Sequence, residues 1–361
     1  MADKIFMKGT EAVSEAAVRS GCRFFAGYPI TPQNEVPEYM SRRLPQVGGI
    51  FIQGESEVAS VNMVFGAAAT GTRAMTSSSS CGIALKSEGI AFLAGANLPA
   101  VICNFQRGGP GIGDIKPAQQ DYFEATKASG NGGFRMLVLA PATVQEAVDM
   151  TYRAFDLADK YRKPVYMLLD GVIGTMMEPV VLPEMRSEEE LAAIRAAKTW
   201  AARGRKGGPF HQVQCGPGLD ARLNQEKMNL EDQKLYDLWD SEEVEYEQDI
   251  PADTELIITG YGTSGRIAKS AVRILREEGY KVGYIRPLKV SPFPYEAFEI
   301  PDYSKLRGIL VAEMSIPAQY GFDVKLAVHG RTKLDYALSS GGNVLDRAYV
   351  IEQAKKLYGE K

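Results

Sequence analysis

Short apolar runs alternate with longer stretches of helical periodicity through the first half of the chain. In Thr10–Ser20 the apolar residues recur at helical spacing, and Gly21 follows as a usual helix stop. A second helical stretch covers residues 143–159. Between the helices, strands are predicted near 22–26, 49–52, 73–76, 99–104, 135–140 and 164–169. This alternation predicts a parallel sheet that is covered by helices on both faces.

The pattern changes after Leu182. Ser187–Glu190 predicts a capping box at the start of a helix, and 225–247 predicts a charged helix. One side of that helix is expected to carry Met228, Leu235, Leu238 and Trp239. We therefore expect a helical insertion near 183–235 that lies across the first domain or against a partner. The acidic segment Asp240–Asp249 is expected to be a solvated connection rather than a site.

A strand at Glu255–Thr259 leads into the glycine-rich turn Gly260–Gly265 and then into a helix through Leu275. This strand, turn and helix carry the glycine spacing of a dinucleotide fingerprint. Such a site also needs an acidic residue at the end of the next strand, but Lys281–Pro287 contains neither Asp nor Glu. A tight strand-to-helix turn is therefore favoured over nicotinamide binding, which stays open as an alternative.

Length and composition indicate a globular enzyme subunit. The chain has 361 residues, of which 45% are hydrophobic and 24% charged, and this is enough for two cores. A net charge of -4 gives no reason to expect nucleic acid or an anionic membrane as partner. No stretch approaches the roughly 18 uninterrupted apolar residues of a membrane span, and Met1–Ile5 begins no apolar signal region. A cytoplasmic location is the expectation.

The cysteines and histidines do not suggest a metal centre in this chain. The four cysteines stand far apart in sequence, unlike the closely spaced ligands of a zinc site or an iron-sulfur cluster. They are Cys22, Cys81, Cys103 and Cys215. Neither His211 nor His329 stands beside a plausible nucleophile, so a Ser-His-Asp hydrolase is not indicated.

Glu57 is the most informative candidate residue, because it falls in the first turn of an apolar, predicted buried helix. A carboxylate held at such a position can pair with a ring nitrogen of an aminopyrimidine and share a proton with it. Thiamine enzymes depend on such a proton transfer, so the placement suggests thiamine diphosphate chemistry. The alternative is an acid that only stabilises a helix N-terminus through the macrodipole, as we expect for Glu55.

Three loops are predicted to meet near this glutamate. Ala26–Asn34 contains two prolines that stop a strand in a rigid loop. Ser77–Gly82 and Gln106–Gly113 each follow a predicted strand. In a parallel sheet all such loops lie at the carboxyl ends of the strands, which is the edge where α/β proteins bind ligands.

The loop Tyr28–Pro32, Glu57, the serine run with Gly82, and Arg107 together resemble the α subunit of the 2-oxoacid:ferredoxin oxidoreductases. The resemblance covers essentially the whole chain. It implies an α/β fold in which a parallel-sheet, pyrimidine-type domain of the thiamine enzymes occupies residues 1–235. A smaller transketolase C-terminal-like α/β domain is implied for residues 236–361.

The resemblance also implies roles for four residues. Pro29 would lie beside the thiamine, Glu57 would engage the aminopyrimidine, and Thr31 would reach the substrate. Arg107 would meet the carboxylate of the 2-oxoacid, which suits a guanidinium that binds carboxylates bidentately. Two structural alternatives remain open. Arg107 could instead hold the glycine loop by bonding its carbonyl groups, and Thr31 could cap a helix that starts near Pro32.

Thiamine enzymes hold the diphosphate and Mg²⁺ through a Gly-Asp-Gly motif, which this sequence lacks; Gly113-Asp114 misses the second glycine. The resemblance therefore implies half a site, with thiamine diphosphate shared with a separate β subunit. Mg²⁺ is expected on that β subunit, and iron-sulfur clusters on a ferredoxin-like subunit. A γ subunit completes the expected complex, and ferredoxin is the expected electron acceptor. The chain alone is expected to turn over nothing.

The implied reaction is oxidative decarboxylation of a 2-oxoacid with coenzyme A, giving acyl-CoA, carbon dioxide and reduced ferredoxin. The segments Gly108–Asp114 and Pro117–Tyr122 look most like the branched-chain members, which use 3-methyl-2-oxobutanoate. Only Lys116 could offer a second cation for a dicarboxylate, so 2-oxoglutarate is the alternative substrate. A noncatalytic scaffold subunit is a further alternative.

Overall fold

The computed structural model describes residues 4–205, 208–216 and 221–359. Its strands are β1 (Ile5–Lys8), β2 (Phe24–Gly27), β3 (Ile50–Gln53), β4 (Ala74–Ser78), β5 (Val101–Gly108), β6 (Asp114–Pro117), β7 (Leu137–Leu139), β8 (Val165–Asp170), β9 (Met177–Val180), β10 (Tyr246–Asp249), β11 (Leu256–Thr259), β12 (Val282–Pro287), β13 (Lys289–Ser291), β14 (Gly308–Glu313) and β15 (Leu334–Leu338). Its helices are α1 (Gly9–Arg19), α2 (Glu35–Gln46), α3 (Glu57–Ala69), α4 (Cys81–Gly95), α5 (Tyr122–Thr126), α6 (Val144–Tyr161), α7 (Gly171–Thr175), α8 (Glu188–Ala197), α9 (Ala221–Glu242), α10 (Gly262–Glu277), α11 (Tyr320–Val328) and α12 (Arg347–Tyr358). A 3-10 turn covers Tyr295–Phe298.

Two mainly parallel sheets form the frame. The larger has the strand order β13-β7-β8-β5-β4-β2-β3, with β6 paired to β5. The second has the order β10-β12-β11-β14-β15, and β10 is its antiparallel edge. Strand β13 belongs to the second half of the chain but pairs with β7 of the first sheet. The two halves are therefore connected through the first sheet. A separate antiparallel pair is formed by β1 and β9.

The central strands are buried on both faces, which explains their continuous apolar sequences. Every residue of β8 is buried, and the same holds for β5. Helix α6 starts where the Thr143 hydroxyl accepts the N–H of Glu146, and α1 is followed by Gly21 at a φ of +96°, where glycine is favoured. One core cluster contains Tyr122, Tyr261 and Tyr320 and extends across both sheets.

The strands predicted in the first half all have counterparts, and the α/β fold class is confirmed. Strand β5, however, continues through Arg107, which the sequence had placed in a glycine-rich loop. The reason is tertiary: residue 107 pairs with Pro117 of β6. Strand β4 likewise continues through Ser78, so the serine run is partly strand, and Cys81 already begins α4.

The structure does not have the helix start near Pro32 that was the alternative role for Thr31. Helix α2 begins at Glu35, with Asn34 as its N-terminal flanking residue. Thr31 therefore does not cap a helix near Pro32. Its main-chain carbonyl points to Arg107 instead, as described below.

The insertion near 183–235 packs against helices of the first half of the chain, where Arg186 donates its N–H to the carbonyl of Arg19 and Ala202 to that of Ala69. Part of it falls outside the described residues. The predicted capping box at Ser187 is present at the start of α8. The charged helix is α9, which ends at Glu242 rather than at residue 247. Of the four residues expected on one side, Trp239 is fully buried and Met228 and Leu235 are half-buried, but Leu238 is 38% exposed. Tyr236 rather than Leu238 is buried beside Trp239. The 3.6-residue period places 236 and 239 on one face.

The acidic segment after α9 is not a solvated connection. Glu243 is buried and accepts hydrogen bonds from Lys289 (2.5 Å) and Tyr161 (2.5 Å). Burial would raise the pKa of Glu243, but its bonds to Lys289 and Tyr161 lower it to about 2. Lys289 also pairs with Glu245 at 2.8 Å. This ion cluster lies where β13 joins the first sheet, so it helps to connect the two halves.

Candidate active site

The carboxyl ends of β2, β3, β4 and β5 converge on one edge of the first sheet. Helix α3 starts just after β3, and α4 starts two residues after β4. The N–H of Gly54 donates to the carbonyl of Gly27 at 3.0 Å, which holds the ends of β2 and β3 together. The helix starts and loops that the sequence singled out therefore meet at a single edge.

Glu57 occupies the first position of α3, where the Ser56 hydroxyl accepts the N–H of Ala59. The residue is 6% exposed. Within the described residues its carboxylate accepts no hydrogen bond and forms no ion pair, and neither oxygen is completely enclosed. A Cβ built on Gly82 would lie 2.7 Å from the Oε1 atom of Glu57, so the carboxylate rests directly against the start of α4.

Arg107 lies across the start of α4 from Glu57 and is also 6% exposed. Its Nη1 donates to the carbonyl of Thr31 at 3.0 Å, and its Nη2 to the carbonyl of Ile112 at 3.0 Å. Nη2 also lies 3.1 Å from the Cys81 sulfur. Its Nε is buried without a hydrogen-bond partner. The guanidinium thus holds two loops through carbonyl groups, as one of the two sequence-based alternatives expected, and keeps one donor unused.

The loop that carries Pro29 and Thr31 is held on one side by buried hydrogen bonds and is exposed on the other. Gln33 is fully buried, accepts the hydroxyl of Ser77 at 2.5 Å and donates to the carbonyl of Tyr28 at 3.5 Å. Pro29 is exposed, and Thr31 is half-buried. The structure thus brings Thr31, Glu57 and Arg107 around the N-terminus of α4, with Pro29 on the exposed side of the same loop.

Sequence reasoning missed the polar network behind Arg107. Ser80 adopts a φ of +36°, and its N–H donates to Asn104 at 2.9 Å. Its hydroxyl donates to Asp121 at 2.6 Å and accepts the main-chain N–H of Arg107 at 2.9 Å. Burial raises the pKa of Asp121. The only sequence signal was the polar character of Asn104 within an apolar strand.

Lys86, on α4, was also missed. It is fully buried, and its Nζ donates to the main-chain carbonyl of Glu57 at 3.2 Å. Burial lowers the pKa of Lys86 to about 8, and the charge of Glu57 opposes that shift. A lysine within a helix of otherwise ordinary composition gives no sequence signal for such a position.

The residues of this edge suit an aminopyrimidine. Glu57 offers an unpaired carboxylate of low exposure, and the hydroxyls of Ser78 and Ser79 are buried without partners. The absence of a side chain at Gly82 lets the carboxylate rest against the start of α4. Among the described residues, no group of three or more His, Cys, Asp or Glu side chains could hold a metal ion. Asp114 binds its own loop, accepting the N–H of Lys116 at 3.0 Å.

The glycine turn in the second half of the chain is already filled by a side chain. The carboxylate of Asp170, from the first sheet, accepts the N–H of Thr263 at 2.8 Å and its hydroxyl at 2.7 Å. It also caps α7 through the N–H groups of Val172 and Ile173. Because Asp170 occupies the N-terminus of α10, the position at which a dinucleotide phosphate would bind is closed. This contact argues against nicotinamide binding.

No helix in the described part of the chain is long and apolar enough to cross a membrane.

Comparison with protein families gives two matches. Residues 15–247 match the family described as pyruvate flavodoxin/ferredoxin oxidoreductase, thiamine diphosphate-binding. Residues 254–350 match the family described as pyruvate:ferredoxin oxidoreductase core domain II. The first match contains the whole edge described above, and the second contains the glycine turn.

Similar proteins extend over nearly the whole chain. The ketoisovalerate oxidoreductase subunit VorB of Methanothermobacter thermautotrophicus is 42% identical over 354 residues, with 98% of each chain covered. The 2-oxoglutarate synthase subunit KorA of Methanocaldococcus jannaschii is 34% identical, covering 87% of this chain and 89% of that one. A solved structure is also similar: the 2-oxoglutarate:ferredoxin oxidoreductase of Magnetococcus marinus with 2-oxoglutarate, coenzyme A and succinyl-CoA bound. It superposes with a TM-score of 0.83 at 25% identity, covering 99% of this chain but only 65% of that longer chain. This chain therefore belongs to the 2-oxoacid:ferredoxin oxidoreductase family, as a subunit that carries its thiamine diphosphate-binding domain.

Proposed function

We propose that this chain is the α subunit of a branched-chain 2-oxoacid:ferredoxin oxidoreductase. The reaction is oxidative decarboxylation of 3-methyl-2-oxobutanoate with coenzyme A to acyl-CoA, carbon dioxide and reduced ferredoxin. The single observation that carries the proposal is Glu57, a carboxylate of 6% exposure with no partner in the described chain. A carboxylate with so little water and no donor needs a hydrogen-bond partner, and an aminopyrimidine ring nitrogen becomes that partner when the two groups share a proton.

Four residues act at this edge in the proposal. Thiamine diphosphate, when bound, supplies the carbanion chemistry of decarboxylation. Glu57 would hold the aminopyrimidine through a proton at its carboxylate, and Pro29 would lie beside the thiamine. Arg107 binds the substrate carboxylate through its unused Nε and through Nη2, which exchanges the carbonyl of Ile112 for the substrate. The Thr31 hydroxyl donates to the 2-oxo oxygen as it gains negative charge.

The branched-chain substrate is supported by identity and by the surroundings of Arg107. The ketoisovalerate relative is 42% identical, against 34% for the 2-oxoglutarate relative. A dicarboxylate would need a second cation, and Lys116 is the other basic residue of the Arg107 loop. The side chain of Lys116 packs against Gly342: a Cβ added to Gly342 would lie 2.5 Å from the Cβ of Lys116. This contact places the stem of Lys116 against the loop that follows β15.

The site is completed by partner subunits in this proposal. A β subunit binds the diphosphate and Mg²⁺, and a ferredoxin-like subunit carries the iron-sulfur clusters, with a γ subunit in the same complex. We place the β subunit on the outer faces of α3 and α4, because Val58 (42% exposed) and Leu85 (57% exposed) lie within one turn of Glu57 and Gly82. We further propose that residues 1–235 form the pyrimidine-binding domain and residues 236–361 the transketolase C-terminal-like domain.

The proposal is tested by coenzyme A-dependent viologen reduction with the complete complex of subunits. The wild type, Glu57→Gln and the control Glu55→Gln are each assayed with 3-methyl-2-oxobutanoate and with 2-oxoglutarate. We expect Glu57→Gln to lower kcat by about 10²–10⁴-fold, the usual contribution of a positioned proton-transfer group. Glu55 is exposed, so its variant should match the wild type.

Each other outcome has a definite meaning. If kcat/KM is higher with 2-oxoglutarate than with 3-methyl-2-oxobutanoate, then 2-oxoglutarate is the substrate and the proposed role of Glu57 is unaffected. Full activity of Glu57→Gln would show that the proton transfer occurs elsewhere. The chain would then be a scaffold rather than a catalytic subunit.

A further inference from the structure

Lys86 is a buried cation without a carboxylate ligand. Its side chain has no exposed surface, and its Nζ donates to the main-chain carbonyl of Glu57 at 3.2 Å. Among the described residues no carboxylate lies within 4.0 Å of this ammonium, whereas the buried Lys163 and Lys289 both have such a partner. Burying an ammonium without a counter-ion is costly. A role other than packing would explain why a lysine stands here.

The packing of α3 against α4 places Lys86 beside Glu57 in a water-poor contact. Gly82 and Gly89 lie one turn before and after Lys86 on the same face of α4. A Cβ added to Gly89 would lie 2.4 Å from Cγ1 of Val61, and one added to Gly82 would lie 2.7 Å from Oε1 of Glu57. Lys86 thus lies between the two closest approaches of the helices, where charges interact strongly because water is excluded.

We propose that Lys86 is a positioning residue for Glu57: its ammonium fixes the first turn of α3, and its positive charge favours transfer of the shared proton to the aminopyrimidine. The inference rests on the proposed function, in which Glu57 shares a proton with that ring. A nearby positive charge makes the proton less favourable on Glu57 and so favours its place on the ring nitrogen.

The other charges near this contact are few. On α3 and its approach, Glu57 faces α4 and Glu55 is exposed; on α4, Glu88 is exposed. Strand β4, which packs below both helices, contains no ionisable side chain. Lys163 lies at the far end of α4, where it donates to the carbonyl of Ala94 at 3.0 Å and pairs with Asp232. Arg107 lies across the start of α4, with its Nη2 3.1 Å from the Cys81 sulfur, and is a second positive charge near Glu57. Lys86 differs from it because its ammonium bonds the main chain of Glu57 itself.

The test replaces Lys86 by methionine, which keeps an unbranched side chain and removes the charge. Lys163→Met is the matched control, because Lys163 is also buried and bonds a main-chain carbonyl of α4, just as Lys86 bonds one of α3. The assembled complex of each variant is titrated with thiamine diphosphate and Mg²⁺ in a calorimeter, in buffers of different ionisation enthalpy. This measurement counts the protons taken up on binding, independently of turnover. The pH profile of kcat/KM with 3-methyl-2-oxobutanoate and the melting temperature are recorded alongside.

In the wild type, proton uptake should begin above the pH at which free Glu57 ionises. Without the positive charge of residue 86, Glu57 holds its proton to higher pH. In Lys86→Met we therefore expect two shifts of about one pH unit to higher pH, which correspond to a tenfold change in the proton affinity of Glu57. One is in the pH at which proton uptake begins, and the other is in the acid limb of the kcat/KM profile. The melting temperature should stay equal or rise, because the buried charge is gone. Lys163→Met should leave both pH dependences unchanged.

Two results would overturn the inference. One is a Lys86→Met complex that keeps wild-type proton uptake and the wild-type pH profile. The other is a variant that fails to fold or melts well below Lys163→Met, since Lys86 would then serve structure alone. Glu57→Gln separates this failure from that of the proposed function. If Glu57→Gln abolishes both proton uptake and activity while Lys86→Met matches the wild type, only the inference about Lys86 is wrong.

Discussion

Buried carboxylates in this chain fall into two kinds, distinguished by their partners. Glu313 is fully buried and accepts the N–H groups of Gln319 (3.0 Å), Tyr320 (2.8 Å) and Gly321 (3.3 Å) at the start of α11. Glu57 is almost as buried and has no such donor. A carboxyl group whose hydrogen-bond partners lie within the chain belongs to the fold, whereas one left without them at a sheet edge is available to a ligand.

Glu313 should make stability depend on pH. Burial raises the pKa of Glu313 from 4.5 to about 7, against the opposing backbone hydrogen bonds. Below about pH 4.5 the Glu313 carboxyl group is protonated in both the folded and the unfolded states, so the stability that it contributes is fully present. Between about pH 4.5 and 7 only the folded state keeps the proton, and stability falls as pH rises, by about 3 kcal/mol in total. Glu313→Gln, which cannot ionise but keeps a carbonyl acceptor, should lose this part of the pH dependence.

The measurement is urea unfolding of the wild type and Glu313→Gln at about pH 5 and pH 7. The wild type should lose more free energy of unfolding over this interval than the variant does. Glu299→Gln serves as control, because Glu299 lies on the surface, pairs with Arg331 and has a lowered pKa. An equal pH dependence in the wild type and Glu313→Gln would show that Glu313 is ionised in the folded protein throughout.

At the scale of elements, the sequence predicted the parallel strands and their helices but not where several of them end. Strand β5 gains its last residues from pairing with β6, a contact that needs the hairpin between them to fold back. Strand β10 forms because its residues pair with β12, while its sequence Tyr246–Asp249 is largely acidic. Local propensity describes neither case, because pairing with a distant strand decides both. The edge strands β1, β9, β13 and β15 were missed for the same reason.

The contact between α3 and α4 should be sensitive to a single methyl group at Gly82. An added Cβ would lie 2.2 Å from Oγ of Ser78 and 2.7 Å from Oε1 of Glu57. Gly82→Ala must therefore displace Glu57 or the start of α4. We expect weaker binding of thiamine diphosphate and kcat/KM reduced by about 10²-fold, the usual effect of a small misplacement of a reacting group.

Gly95→Ala is the control in the same helix, because no atom lies within 4 Å of the added Cβ. That variant should bind thiamine diphosphate as the wild type does and be more stable by up to about 1 kcal/mol, since alanine favours helix over glycine. Titration calorimetry of the complete complex and melting curves measure both effects. If Gly82→Ala binds thiamine diphosphate as tightly as the wild type does, then the contact of Glu57 with the start of α4 is not required for binding of thiamine diphosphate.

At the scale of the molecule, the sequence predicted that Thr31, Glu57 and Arg107 would meet, because strand order places the ends of parallel strands at one edge. The structure brings all three to the N-terminus of α4. It could not be predicted that Lys86 and Asp121 join them, since helix packing and a long excursion after β5 place these two side chains. The connection of the two sheets through β13 could not be predicted either, because Lys289 pairs with acidic residues about 45 positions earlier.

The proposed sharing of the site with a β subunit leads to a prediction about assembly. Leu85 is 57% exposed on α4, one turn from Gly82, whereas its neighbour Lys86 is buried. If the β subunit covers this face, Leu85→Glu places a charge within the interface and leaves the folded chain itself intact. We expect its dissociation constant for the β subunit to rise by about tenfold or more, as for a residue in the buried part of an interface. Activity at saturating β subunit should recover, because the substitution does not touch Glu57 or Arg107.

The matched control is Leu238→Glu, an equivalent change at an exposed position on α9, away from the start of α4. Association is measured by sedimentation or by light scattering of the mixed subunits, and circular dichroism confirms that both variants are folded. The comparison works because both leucines are partly exposed in this chain, so that only the covering partner distinguishes them. If Leu85→Glu and Leu238→Glu assemble equally well, the outer face of α4 remains in solvent and the β subunit reaches Glu57 from another side.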